Sequence, residues 1–142
     1  IRKLMADLFY GPYKIIKGIA MAEKVLFTWS GGKDSAMALY ELQKSHDYEV
    51  TLIYTFEKAG VLLDVNDESS VLKKITRAYY DELKIPQPTG GGGGAKIFSG
   101  MIPKLDNAFA ALNNGVNKVI IGNAEQLKEL IAGTSGTTIT NE

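Results

Sequence analysis

Two spacings of apolar residues alternate along the chain. Val25, Leu26, Phe27 and Trp29 form a compact apolar run, and the stretch Lys24 to Thr28 reads as a strand. A glycine turn follows, and then Ala36, Leu39, Tyr40 and Leu42 recur at helical spacing to about Ser45. A second run, Val50 to Phe56, is rich in β-branched and aromatic residues and reads as a strand parallel to the first, reached by a right-handed crossover. Residues 21 to 56 therefore predict a βαβ unit. Before it, Ile1, Leu4, Met5, Leu8 and Phe9 lie at helical spacing, Gly11-Pro12 interrupts, and Tyr13, Ile15, Ile16 and Ile19 resume. Residues 1 to 20 read as two short helical pieces, or a helix and an irregular arm, added in front of Met21.

The second half continues the alternation. Gly60 to Asp64 reads as a short strand or turn, and Val65 to Glu68 as a polar loop. Thr76 suits the N-cap of a helix over Arg77 to Lys84, which Pro86 and Pro88 close. Thr89 to Gly94 holds five consecutive glycines, which lose the most backbone entropy on ordering and offer no side chain to pack, so 89 to 94 reads as a flexible linker, engineered as readily as natural. Ile97-Phe98 reads as a short strand. Pro103 fits the first turn of a helix whose Leu105, Ala108, Phe109 and Leu112 share one side and which Asn113-Asn114-Gly115 ends. Lys118 to Gly122 is a buried-type strand, Glu125 to Ala132 a helix, and Gly136 to Thr140 a terminal strand. This order predicts an α/β fold: one domain over residues 1 to 142, with an open, mostly parallel sheet and helices on both faces in three αβα layers.

Composition narrows the function classes. The chain is 45% hydrophobic and 23% charged, ordinary globular values, and sixteen basic against sixteen acidic side chains give zero formal net charge. No overall field draws a nucleic acid or an anionic membrane, so neither is expected as a partner. No cysteine is present, which removes disulfides, zinc thiolates and thiol nucleophiles. No apolar run in the first twenty residues reaches the roughly 18 to 20 residues of a bilayer span, and a soluble, cytoplasmic protein is expected.

Two clusters carry chemistry. The first is Ser30, Gly31, Gly32, Lys33, Asp34 and Ser35, between a strand and a helix. Glycines admit phosphate oxygens to the backbone, the helix N-terminus presents unpaired N–H groups, and Lys33 adds a full charge. The spacing differs from the Walker loop. It resembles the SGGKDS loop of the PP-loop ATP pyrophosphatases, and residues 21 to 56 look most like their diphthine-ammonia ligase branch. That resemblance implies ATP binding at these six residues and adenylation of a substrate with release of pyrophosphate.

The second cluster is Gly100-Met101-Ile102-Pro103-Lys104, with Gly122-Asn123-Ala124 and Gly136-Thr137 further on. From about Tyr48 to the end, the chain resembles the C-terminal, nucleotide-binding half of acetylglutamate kinase, an amino-acid kinase. Phe56 to Leu62, Gly100 to Asn107, Val119 to Gly122 and Gly136 to Ile139 carry the likeness. It implies phosphoryl transfer from ATP, accompanied by Mg2+, to a carboxylate. Lys104 would be the catalytic cation, with Gly60, Val61, Leu62 and Gly100 at the nucleotide. A lysine at a helix start adds its charge to the helix dipole, which suits a transferring phosphoryl group.

Each resemblance lacks its partner part. The kinases also need an N-terminal glycine-rich phosphate loop and a central region for the acylated amino acid; the PP-loop enzymes need a longer C-terminal portion. The two likenesses join near Asp47 to Phe56, which fits an artificial or recombined chimera in which a PP-loop unit replaces half of a kinase sheet. Three readings follow: an incomplete kinase, an adenylating ligase, or a non-catalytic scaffold. A truncated sheet leaves an open edge to cover, so a homo-oligomer is also expected. Among lesser features, His46 reads as solvent-facing, Asp64, Asp67 and Glu68 as a solvated acidic loop short of full cation-ligand spacing, and Tyr79-Tyr80 as core packing plus one exposed ring.

Overall fold

A computed structural model describes residues 22–29, 32–45, 47–85, 97 and 99–142. In chain order the elements are β1 (Glu23–Trp29), α1 (Lys33–Lys44), β2 (Tyr48–Phe56), β3 (Lys74–Thr76), α2 (Arg77–Lys84), α3 (Ile102–Asn113), β4 (Lys118–Asn123), α4 (Leu127–Ala132) and β5 (Thr137–Thr140). The five strands make one sheet in the order β1-β2-β4-β5-β3. β1, β2 and β4 run parallel, β5 lies antiparallel to β4, and β3 lies parallel to β5. The expected mostly parallel sheet is therefore present.

Alternation along the strands assigns the faces. Phe27, Val50, Leu52, Val119, Ile121, Ile75 and Ile139 point to one side, where they join Leu39 of α1, Tyr80 and Leu83 of α2, and Leu105, Ala108, Phe109 and Leu112 of α3. Ile53 and Ile120 point to the other side and pack with Leu130 of α4. Helices thus cover both faces in three layers. The first face holds most of the core, and burying each of its Leu, Ile or Phe side chains contributes about 1.5–3 kcal/mol.

Local signals set the element ends. The Thr76 hydroxyl accepts from Tyr79 N at 3.3 Å and caps α2. Pro103 stands in the first turn of α3, where a missing N–H is harmless, and Gly115 follows its C-cap at φ 98. Other expectations change. β3 went unrecognised, because its three residues contain a single buried side chain, Ile75. The helix expected over 125 to 132 divides into a 3-10 turn, Ala124–Gln126, and the shorter α4, with the Asn123 side chain accepting from Glu125 N. Ile97 lies in a bend rather than a strand. Gly60 to Asp64 contributes only a bridge between Leu62 and Val71. The helical pieces expected in 1 to 20, residues Ser30, Gly31, His46 and Phe98, and the glycine linker lie outside the described residues. Among the described residues no helix is long and apolar enough to cross a membrane.

Candidate phosphate site and adjoining groove

β2 ends at Phe56, and the chain turns through Glu57 to Gly60 beside the first turn of α3. A cavity of about 100 Å³ forms there, lined among others by Phe56, Lys58, Gly60, Leu62, Gly100 and Lys104. Lys104, Gly60, Leu62 and Gly100, the kinase-type residues singled out in the sequence, thus meet in one place. Val61 does not line the cavity. It is fully buried, its N–H donates to the Thr137 hydroxyl at 2.8 Å, and its carbonyl accepts from Leu72 N at 2.9 Å. Its backbone anchors the loop.

Lys104 is held by aromatic rings. Its ammonium lies 4.4 Å from the Phe56 ring centroid and 5.9 Å from that of Tyr54, a cation–π arrangement. None of the ion pairs among the described residues involves it. The second lysine of the cavity differs: Lys58 Nζ donates to Glu68 Oε1 at 2.6 Å, and this hydrogen bond, with the Glu68 charge, holds its pKa above the ordinary lysine value. The neighbouring carboxylates serve their own loop. Asp67 Oδ1 accepts from Ser69 N and Ser69 Oγ, and the Ser69 hydroxyl keeps the Asp67 carboxyl below its usual range. Asp64 Oδ1 accepts from Asn66 N.

Gly60 owes its identity to packing. A Cβ there would stand 2.7 Å from Thr137 Oγ1 and 2.9 Å from Val71 Cγ1. Thr137 itself, 0% exposed, escaped the sequence reading. Its hydroxyl donates to Leu72 O at 2.6 Å while accepting from Val61 N, tying both ends of the 61–72 loop to β5. A threonine in a short strand carries no local mark of such a role.

The other predicted cluster stands at the same edge of the sheet. Gly32 is the extended N-cap of α1, Lys33 and Asp34 are exposed, and Ser35 is half-buried. Trp29 at the end of β1 pairs in register with Tyr54 on β2; α1 begins shortly after the carboxyl end of β1, and Lys104 in the first turn of α3 lies over Phe56 at the carboxyl end of β2. Ligands of open α/β sheets favour that edge. Gly32 to Ser35 do not line the Lys104 cavity.

Between α1 and α3 the sheet carries an open groove of about 710 Å³, walled by Trp29, Tyr40 and Tyr54 with Leu52, Ala108 and Ala111. Gln43 Nε2 donates to Asn114 O at 2.8 Å and joins the two helices at its far end. The sequence reading missed the groove. Its signal was the small Ala108 and Ala111 on the face of α3 that also bears Lys104.

The fold class is shared with two solved structures. One is a protein of Aeropyrum pernix K1, at a TM-score of 0.53 and 18% identity over 78% of this chain and 33% of that one. The other is the N-acetylglutamate synthase of Neisseria gonorrhoeae, complexed with coenzyme A and L-arginine, at a TM-score of 0.52 and 23% identity over 78% of this chain and 23% of that one. At these identities the likeness is one of fold. In sequence, part of the chain is similar to acetylglutamate kinases. It is 44% identical over 82 residues to that of Bacteroides thetaiotaomicron, covering 58% of this chain and 29% of the relative. It is 50% identical over 84 residues to that of Cytophaga hutchinsonii, covering 59% and 29%. The chain thus spans under a third of the length of these relatives, and the similarity to acetylglutamate kinases extends over part of its own length. No protein-family profile matches it.

Proposed function

We propose that the edge around α3 binds ATP and that its inherited chemistry is phosphoryl transfer to a carboxylate. The observation that carries this reading is Lys104: an ammonium without a carboxylate partner among the described residues, packed over two rings and lining one cavity with Gly60 and Gly100. Phosphoryl transfer asks little covalent chemistry of a protein and much charge placement. An unneutralised lysine on the first turn of a helix offers its own charge together with the positive end of the helix dipole. The cavity is small, so it takes one end of a nucleotide while the remainder lies across the open edge. The sequence relation to acetylglutamate kinases supports the same assignment.

Mg2+ belongs to the expected nucleotide. Among the described residues no group of three or more acidic or histidine side chains gathers as a metal site, and Asp64 and Asp67 are bonded within their loop. The described residues therefore do not fit a protein-held ion.

Calorimetric titration of Mg-ATP into the wild type and the Lys104→Ala and Lys33→Ala variants tests the reading. Loss of a charged contact to phosphate corresponds to about a tenfold to hundredfold weaker affinity for Lys104→Ala, with Lys33→Ala within about twofold of wild type. The reverse pattern would place the nucleotide at the Ser30–Ser35 loop and favour adenylation. Absence of binding to the wild type would leave a non-catalytic scaffold.

A further inference from the structure

We infer that the groove between α1 and α3 is a binding site for an organic carboxylate with an aromatic or bulky apolar body, its carboxylate at Lys104. The inference rests on the reading of Lys104 as a phosphoryl-transfer cation and supplies the acceptor side of that reaction.

Three observations place a ligand there. Lys104, Asn107, Ala108 and Ala111 follow one another at helical spacing, so they form one stripe of α3. The last three line the groove, while Lys104, one turn earlier on the same stripe, lines the small cavity beside it. The Tyr54 ring, 5.9 Å from the Lys104 ammonium, is at once a wall of the groove and a support of the cation. Phe56, 4.4 Å from the same ammonium, lines the small cavity on the other side. One cation therefore stands between two concave sites.

Charge and shape define the occupant. The groove of about 710 Å³ lies within the volume range of small-molecule sites, and its walls are chiefly Trp29, Tyr40, Tyr54, Leu52 and alanines. Such walls stabilise a ring or branched hydrocarbon body through burial and stacking. Of the two lysines nearby, Lys44 is already engaged by Glu41 at 3.7 Å and lies over Tyr40, whereas Lys104 has no carboxylate partner among the described residues. An anionic head at Lys104 with an apolar tail along Ala108 and Ala111 satisfies both ends. In the transfer, a carboxylate oxygen of the bound acid attacks the γ-phosphorus of ATP, the bond from that phosphorus to the β,γ-bridging oxygen breaks, and an acyl phosphate and ADP result. Lys104 is placed to contact both the acid and the moving phosphoryl group.

Trp29 is the chain's sole tryptophan and lies in the groove wall, so its fluorescence reports occupancy. The probes are 3-phenylpropanoate and its neutral amide, titrated into the wild type, Lys104→Gln and Ala111→Phe, with Mg-ADP binding followed separately by calorimetry. The wild type is expected to bind the acid about tenfold more tightly than the amide, as one charged contact gives. Lys104→Gln is expected to erase that preference, and Ala111→Phe to abolish both responses while Mg-ADP binding persists. Equal affinity for acid and amide in the wild type would overturn the assignment. So would competitive displacement of the acid by Mg-ATP, which would give the groove to the nucleoside, or Mg-ADP binding without any response to the acid. Acid binding with the Lys104-dependent preference but no Mg-ADP binding would uphold the groove and remove the kinase reading instead.

Discussion

Thr137 shows how one hydroxyl supports a site it does not touch. It accepts from Val61 N and donates to Leu72 O while fully buried, and so fixes the loop that presents Gly60 and Leu62 to the cavity. Thr137→Val keeps the shape and leaves a buried N–H and a part-buried carbonyl without their partner, the buried group costing about 1–3 kcal/mol and the other less. Urea unfolding is expected to show a loss of about 2–4 kcal/mol with an unchanged slope. Nothing in the local sequence separates Thr137 from Thr138, because the role depends on a loop more than sixty residues earlier. Lys104 was legible for the opposite reason. Pro103 marks a helix start, and a lysine beside it is placed by local rules before any tertiary contact forms. What the sequence withheld was the aromatic support, since Tyr54 and Phe56 reach Lys104 only after β2 and α3 pack.

At the scale of elements, α2 and α3 are joined by a polar knot over an apolar one. The Tyr80 ring stacks on Phe109 at 5.1 Å, its hydroxyl donates toward Asp106 Oδ1 at 3.0 Å and Ile102 O at 3.1 Å, and Lys84 Nζ reaches the same carboxylate at 3.1 Å. The Lys84 hydrogen bond keeps the Asp106 carboxyl below its ordinary value of 3.8; burial opposes it as the next effect in size, and the Tyr80 hydrogen bond adds to the lowering. A lowered folded-state pKa means that the ionised form favours folding. The contribution is full above pH 3.8 and is lost as pH falls below it toward the folded-state value. The stability difference between wild type and Asp106→Asn is therefore expected to be largest near neutrality and to shrink in urea titrations taken down through pH 3.8. The ends of α2 were readable, because Thr76 and the following prolines punctuate the chain. β3 and the 3-10 start before α4 were not, because three residues give no periodicity and the Asn123 side chain competes locally with helix geometry.

For the whole molecule, the alternation of strands and helices gave the layered α/β architecture correctly, since hydrophobic periods 2 and 3.6 survive any strand order. Strand order itself was not legible. The parallel strands β1, β2 and β4 present their carboxyl ends at the edge where Lys104 stands, while β5 enters against that direction. The groove was illegible because it is a gap between two helices rather than a run of residues.

β5 is hydrogen-bonded on both sides, antiparallel to β4 and parallel to β3, while β3 has no other strand neighbour among the described residues. Among the described residues, the strand pairing of Lys74 to Thr76 is with β5 alone. In hydrogen–deuterium exchange their amides are expected to open in step with those of Thr137 to Thr140, as one cooperative unit, while the β1–β2 pair opens on its own schedule. Slow exchange in β3 after rapid exchange in β5 would show that another partner shields it.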